Sequence, residues 1–168
     1  QGMARAIGGI GHIYWRQGNY ADALACAEQQ LAIATEIGDQ EQAGQALGNF
    51  GRIYWEQGEY GRALAGYSRQ LQIATALGDR PSMILALGSM GNVYWQQGEY
   101  AAALACFEQS LLRAVEIDDR RGISITVGQM GTVYWRQGNY AQALACFARQ
   151  LTIATEMGER RSVSEALG

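Results

Sequence analysis

The side chains that most often carry catalysis are scarce in this sequence. Lysine is absent, because all 13 basic residues are arginine, and the only histidine is His12. A phosphate-binding P-loop and a Schiff-base enzyme each need a lysine, and a multi-histidine metal site needs several imidazoles. No cysteine or acid stands at ligand spacing from His12, so no nucleophile–base pair can be argued around it. We therefore predict that the chain is not an enzyme and that it uses no metal or cofactor.

The three cysteines, Cys26, Cys106 and Cys146, recur at one position of a repeated pattern rather than in a ligand motif. Packed helices lie roughly 8–10 Å apart, whereas a disulfide needs Cα atoms closer than about 7 Å. We expect three small buried thiols. Unpaired thiols favour a cytoplasmic location.

Tryptophan and arginine suit recognition better than catalysis. Trp15, Trp55, Trp95 and Trp135 each follow a tyrosine, and they stand at intervals of 40 residues. Both residue types are enriched among the side chains that dominate binding energy, and a guanidinium can hold a carboxylate through two hydrogen bonds. The chemistry that these residues predict is the binding of a peptide.

The overall composition excludes several classes of protein. A hydrophobic fraction of 48% argues against disorder. The net charge of −3 argues against a duplex nucleic acid as partner. The longest apolar run is too short to span a membrane, which takes about 18 residues. Because the chain begins with glutamine rather than methionine, we expect a processed product or a fragment of a larger protein.

The elements that must position the tryptophans come from a repeat of 40 residues. The string Tyr-Trp-x-Gln-Gly-x-Tyr occurs four times, and the residues around it recur with it. We divide the chain into repeats at about 2–38, 39–78, 79–118 and 119–158, followed by a partial fifth helix over 159–168.

Each repeat is predicted to form two helices. In the second repeat, Ala43, Leu47, Phe50 and Tyr54 follow one another at the spacing of one helical face. Aspartates before the first helix, such as Asp39, can cap its free N–H groups. Glycine recurs on the apolar face of every first helix, which indicates close packing, because glycine weakens a helix interior. These glycines are Gly11, Gly51, Gly91 and Gly131.

The second repeat has a characteristic order of small and large residues at Leu47, Phe50, Gly51, Tyr54, Gly58, Tyr60, Ala63, Leu64 and Tyr67. This order resembles the tetratricopeptide repeat, a helix–turn–helix unit usually 34 residues long. The longer period is similar to the branch that includes Pins-type adaptors, kinesin light chains and bacterial signalling proteins. The chain departs from the family where alanine is usual, at Gln30, Gln70, Ser110 and Gln150.

The resemblance implies an all-α superhelical solenoid of four repeats plus the start of a fifth, with a concave groove that recognises protein. It also implies that the first helices line this groove. The candidate groove residues are Trp15, Trp55, Trp95, Trp135, Arg5, Arg16, Arg52, Arg136, His12, Asn49 and Asn92. Because four arginines face a single acid there, Glu56, we predict a peptide ligand with acidic and apolar residues.

Three other interpretations remain open for these residues. The tryptophans could pack between neighbouring helices, with their indole rings part of the core. They could also serve self-association, because apolar ends of a repeat array favour end-to-end stacking. Single-stranded RNA could stack on the tryptophans, but the acidic balance of the chain argues against it.

Overall fold

A computed structural model describes the backbone of residues 2–167 and the side chains of residues 2–158. This part of the chain is helical and contains no strand. Its eight helices are α1 (Gly2–Arg16), α2 (Tyr20–Glu36), α3 (Gln40–Glu56), α4 (Tyr60–Leu77), α5 (Arg80–Gln96), α6 (Tyr100–Glu116), α7 (Arg120–Arg136) and α8 (Tyr140–Leu167).

The helices form a solenoid of helical hairpins, as the sequence predicts. Turns of two or three residues join consecutive helices, so neighbours along the chain must run antiparallel. The first helices α1, α3, α5 and α7 also contact one another in succession, whereas the second helices do not touch each other within the described residues. The first helices therefore form the inner, more closely spaced row of the array.

Side-chain caps and left-handed residues define the turns between repeats. The carboxylates of Asp39, Asp79 and Asp119 each accept a hydrogen bond from the backbone N–H three residues later, at 2.9–3.1 Å. Gly78 ends α4 with φ +68°. Asp118 takes the same role after α6 with φ +51°, a conformation that aspartate tolerates better than most residues. The caps expected from the sequence are thus confirmed.

The structure differs from the sequence expectation at the end of the fourth repeat. A turn was expected at Gly158, but α8 continues through this residue to Leu167. The earlier turns place an aspartate cap directly after the left-handed residue, whereas Glu159 stands in that position here. Glutamate is not among the side chains that cap helices well, so the signal that starts a new helix is weaker. The assignment of residues 159–168 to a fifth repeat depends on side chains outside the described ones and stays a prediction.

Conserved spacing of glycines along the inner row permits close contact with the second helices. A Cβ atom at Gly91 would lie 2.4 Å from the ring of Phe107, and one at Gly51 would lie 2.6 Å from the ring of Tyr67. Both rings are buried beneath the inner row. All three cysteines are free, but only Cys106 is buried, while Cys26 and Cys146 are half-buried.

The two ends of the array expose apolar side chains whose equivalents are buried elsewhere. Ile13 of α1 is 58% exposed, although the matching residues Ile53, Val93 and Val133 are at most 2% exposed. At the other end, Leu144 of α8 is 69% exposed. Each end thus presents a surface that interior repeats use for packing.

Candidate functional site: two cavities in the groove

Two adjoining cavities open along the inner row of helices. The first has a volume of about 290 Å³, and we call it the polar cavity. Its principal lining residues are Arg5, His12, Gln30, Gln45, Asn49, Arg52, Tyr67, Gln70 and Ser89. The second has a volume of about 390 Å³, and we call it the apolar cavity. Its principal lining residues are Pro81, Ile84, Leu85, Gly88, Ser110, Arg121, Ile125 and Thr126.

Arg52 is the most constrained charged group of the polar cavity. Its guanidinium carbon lies 4.3 Å from the centre of the Trp15 ring, and Nη2 donates a hydrogen bond to Asn49 Oδ1 at 2.9 Å. Its Nε is buried and has no hydrogen-bond partner in the described part of the chain. Burial lowers the pKa of Arg52, although Tyr67 and Glu56 act in the opposite direction. A guanidinium that has lost water in this way favours an anionic partner.

A row of hydrogen-bonded side chains holds Arg52 and Asn49 in place. Each donor points towards the next residue of the row, over distances of 2.9–3.3 Å. The row starts at the guanidinium and ends at a carboxylate, in the order Arg52, Asn49, Gln30, Gln42, Gln45 and Glu41. Because Gln30 and Gln42 are buried, these bonds form where water does not compete for them.

Two further polar groups border the polar cavity from α4. Gln70 is 5% exposed, and its buried Oε1 has no hydrogen-bond donor within the residues that the structure describes. Burial raises the pKa of Tyr67 to about 12, although Ser89 and Arg52 act against this rise. Tyr67 therefore remains a neutral hydroxyl at ordinary pH, and the cavity keeps its positive charge.

The apolar cavity combines exposed aliphatic walls with a buried polar floor. Leu85 is 62% and Ile125 is 50% exposed at its walls. On the floor, Ser110 Oγ donates to the carbonyl of Ile84 at 3.2 Å and lies 3.4 Å from the Thr126 hydroxyl. The floor hydroxyls are thus satisfied within the protein, and the walls offer apolar surface.

The tryptophans lie further along the inner helices and line neither cavity. Trp55 packs against a buried cluster that includes Tyr67 and Val93, and Trp95 packs in the same way one repeat later. Both indole N–H groups are buried and have no acceptor in the described residues. Trp135, which no later first helix covers in the described part, is 52% exposed.

Some of the residues predicted for the groove come together and others do not. Arg5, His12, Asn49 and Arg52 share the polar cavity, and Asn92 lines the apolar one. Arg16, Arg136 and the four tryptophans lie outside both cavities. Arg136 is instead near two of the indoles, at 5.1 Å from the Trp135 ring and 5.9 Å from the Trp95 ring.

The sequence interpretation missed the second-helix residues that form the floor of the groove. These are Gln30, Gln70 and Ser110, which were noted only as departures from alanine. The signal was available, because a glycine of the first helix recurs at the same interval as the glutamine. A Cβ atom at Gly8 or Gly48 would lie 2.7–2.8 Å from the carboxamide of its glutamine.

Two other searches of the described residues returned nothing. No three histidine, cysteine or acidic side chains stand close enough there to hold a metal ion. None of the helices in that part combines the length and apolar character that crossing a bilayer requires.

Comparison with known proteins places the repeats in a defined context. The model for the tetratricopeptide repeat matches residues 2–76 and 57–114, and a second model of that description matches 126–161. No curated protein sequence matches this chain.

Several solved structures share the fold. BtubC from P. vanneervenii is 22% identical with a TM-score of 0.83, over 92% of this chain and 64% of its own. Aspartyl phosphate phosphatase F from Bacillus subtilis is 15% identical with a TM-score of 0.89, over 97% of this chain and 43% of its own. A Rap protein complexed with competence and sporulation factor is 17% identical with a TM-score of 0.85, over 97% of this chain and 46% of its own. The chain thus spans less than two thirds of each of these structures.

Proposed function

The chain belongs to the tetratricopeptide repeat family, and from this premise we propose that it is a non-catalytic scaffold that binds a peptide segment of a partner protein in its groove. The segment carries an acidic side chain and an apolar one. The Rap protein complexed with competence and sporulation factor offers a parallel, because a protein of similar fold is found there with a bound factor. Free thiols favour the cytoplasm as the place where this scaffold works.

The observation that carries the proposal is the state of Arg52. Neither Arg5 nor Arg52 has an ion-pair partner within 4 Å among the described residues, where the ion pairs join other arginines to glutamates. None of the residues that line the polar cavity is acidic. Two cations that share a cavity without a carboxylate attract an anionic side chain, and Asn49 beside them can bond to a peptide backbone.

A peptide selection with a matched arginine control tests this function. A random dodecapeptide library is selected on the immobilised wild-type chain, and the affinity of the enriched peptides is then measured by fluorescence anisotropy. Arg52→Ala should weaken binding by about tenfold or more, because a charge-assisted hydrogen bond contributes about 1.5–3 kcal/mol. Arg69→Ala removes an exposed arginine of α4 outside both cavities and should leave affinity unchanged. Equal affinity for wild type and the Arg52 variant, or no enrichment of any peptide, would contradict the proposal.

A second candidate function is end-to-end assembly of copies of this chain. The observation that favours it is the match between the exposed face of α1 and the exposed face of α8, because interior repeats bury both faces against each other. Light scattering over a concentration series should then show a mass that increases with concentration. Leu144→Glu, which places a charge on the α8 face, should abolish the increase. A monomeric wild-type chain at every concentration would end this alternative.

A further inference from the structure

We propose that the apolar cavity is a specificity pocket for one aliphatic or aromatic side chain of the bound peptide, an inference that rests on the peptide-binding function proposed above. The pocket belongs to the third repeat alone among the four. It exists because that repeat has a serine where the others have a glutamine.

The pairing of each inner glycine with the residue across from it carries the inference. In repeats one, two and four, a Cβ atom on the glycine would collide with the glutamine carboxamide, at 2.7 Å for Gly8, 2.8 Å for Gly48 and 2.4 Å for Gly128. In the third repeat, a Cβ atom at Gly88 would meet nothing within 4 Å. Ser110 replaces the glutamine there, so the space that a carboxamide fills elsewhere is open.

The chemistry of the walls determines what enters this space. Leu85, Ile84, Ile125 and Pro81 supply the apolar surface, and Leu85 and Ile125 are half exposed or more while the groove is empty. The buried hydroxyl of Ser110 already has partners within the protein, so the floor does not call for a polar ligand group. An apolar side chain that covers these walls removes their surface from water, and this favours binding.

The neighbouring polar cavity fixes which peptide side chains lie next to each other. Leu85 and Ser89 line both cavities, so the two adjoin along α5. A peptide that places an acidic side chain at Arg52 therefore has its apolar side chain within reach of Gly88. Arg121 at the far wall of the apolar cavity lies beside Asp119, whose carboxylate is engaged as a helix cap. The charge available to an acidic ligand group is consequently concentrated at Arg52.

The experiment fills the pocket from either side. Ser110→Gln restores the residue that three other repeats accommodate, and Gly88→Leu fills the same space from the first helix. A peptide selected on the wild type is measured beside its variant with alanine at the apolar position. Ser68→Gln, the same substitution on α4 outside both cavities, is the matched control. Circular dichroism and the melting temperature establish that each variant is folded.

Each outcome bears on a different claim. We expect both pocket variants to weaken the apolar peptide at least about tenfold, equivalent to about 1.4 kcal/mol, and to leave the alanine peptide nearly unaffected. Equal losses for the two peptides, or no loss, would overturn the pocket while the peptide-binding function stands. Failure to select any peptide on the wild type would overturn both.

Discussion

Two glycines one helical turn apart on α5 should respond in opposite ways to the same added methyl group. Gly88 faces the open space of the apolar cavity, whereas Gly91 faces the ring of Phe107. Gly88→Ala adds a methyl group without a collision and removes the entropic penalty of glycine in a helix. It should therefore stabilise the chain by about 0.5–1 kcal/mol.

Gly91→Ala should destabilise the chain despite the same gain in helix propensity. The new Cβ atom would stand 2.4, 2.7 and 2.8 Å from three atoms of the Phe107 ring. Since Phe107 is only 1% exposed, its ring has little room to move away. Overpacking of this kind costs about 1–3 kcal/mol, which exceeds the helix gain.

Urea unfolding followed by circular dichroism measures both effects on one scale. For a chain of this size, each kcal/mol shifts the melting temperature by about 2–4 °C, so thermal melts of the two variants should separate clearly. If Gly88→Ala were as destabilising as Gly91→Ala, the space beside Gly88 would not exist. That result would refute both the packing argument and the pocket inferred from it.

Other predictions concern the buried aromatic and thiol groups. Trp55→Ala should cost about 3 kcal/mol because its ring packs within the array, and half-exposed Trp135→Ala should cost clearly less; chemical denaturation of both variants decides this. Between about pH 10 and 12, folded Tyr67 stays protonated while the unfolded residue ionises, so the folded state binds more protons and stability falls by up to about 2.7 kcal/mol. Alkaline unfolding of Tyr67→Phe should lack this component, and an identical profile would contradict the burial argument. Cys106, whose pKa is raised by burial, should react with iodoacetamide more slowly than the half-buried Cys26, which mass spectrometry can follow.

The periodic features of the fold were predictable because local chemistry determines them. The helix caps at Asp39 and Asp79 and the left-handed Asp118 follow from side chains that act within a few residues of themselves. The long α8 was not predicted, because repetition suggested a turn at Gly158 that local capping does not support. Sequence reading weighed the period more heavily than the missing cap.

The groove was predicted in position but not in composition. Helical spacing placed Arg52 and Asn49 on the inner face, where the polar cavity contains them. The same spacing could not show that Gln70 reaches past a glycine into the groove, because that contact joins two helices. It also could not decide how much of Trp55 is covered, since the covering surface comes from the following repeat.

The row of side-chain amides between Arg52 and Glu41 has only one consistent orientation. Turning over any single amide would set two donors or two acceptors against each other, so the charged ends dictate how all four amides point. Neutralising the exposed carboxylate in Glu41→Gln would remove one of these anchors without touching the cavity wall. The pattern of donors and acceptors that a ligand meets at Asn49 and Gln45 is therefore under remote control, from a residue at the outer start of α3.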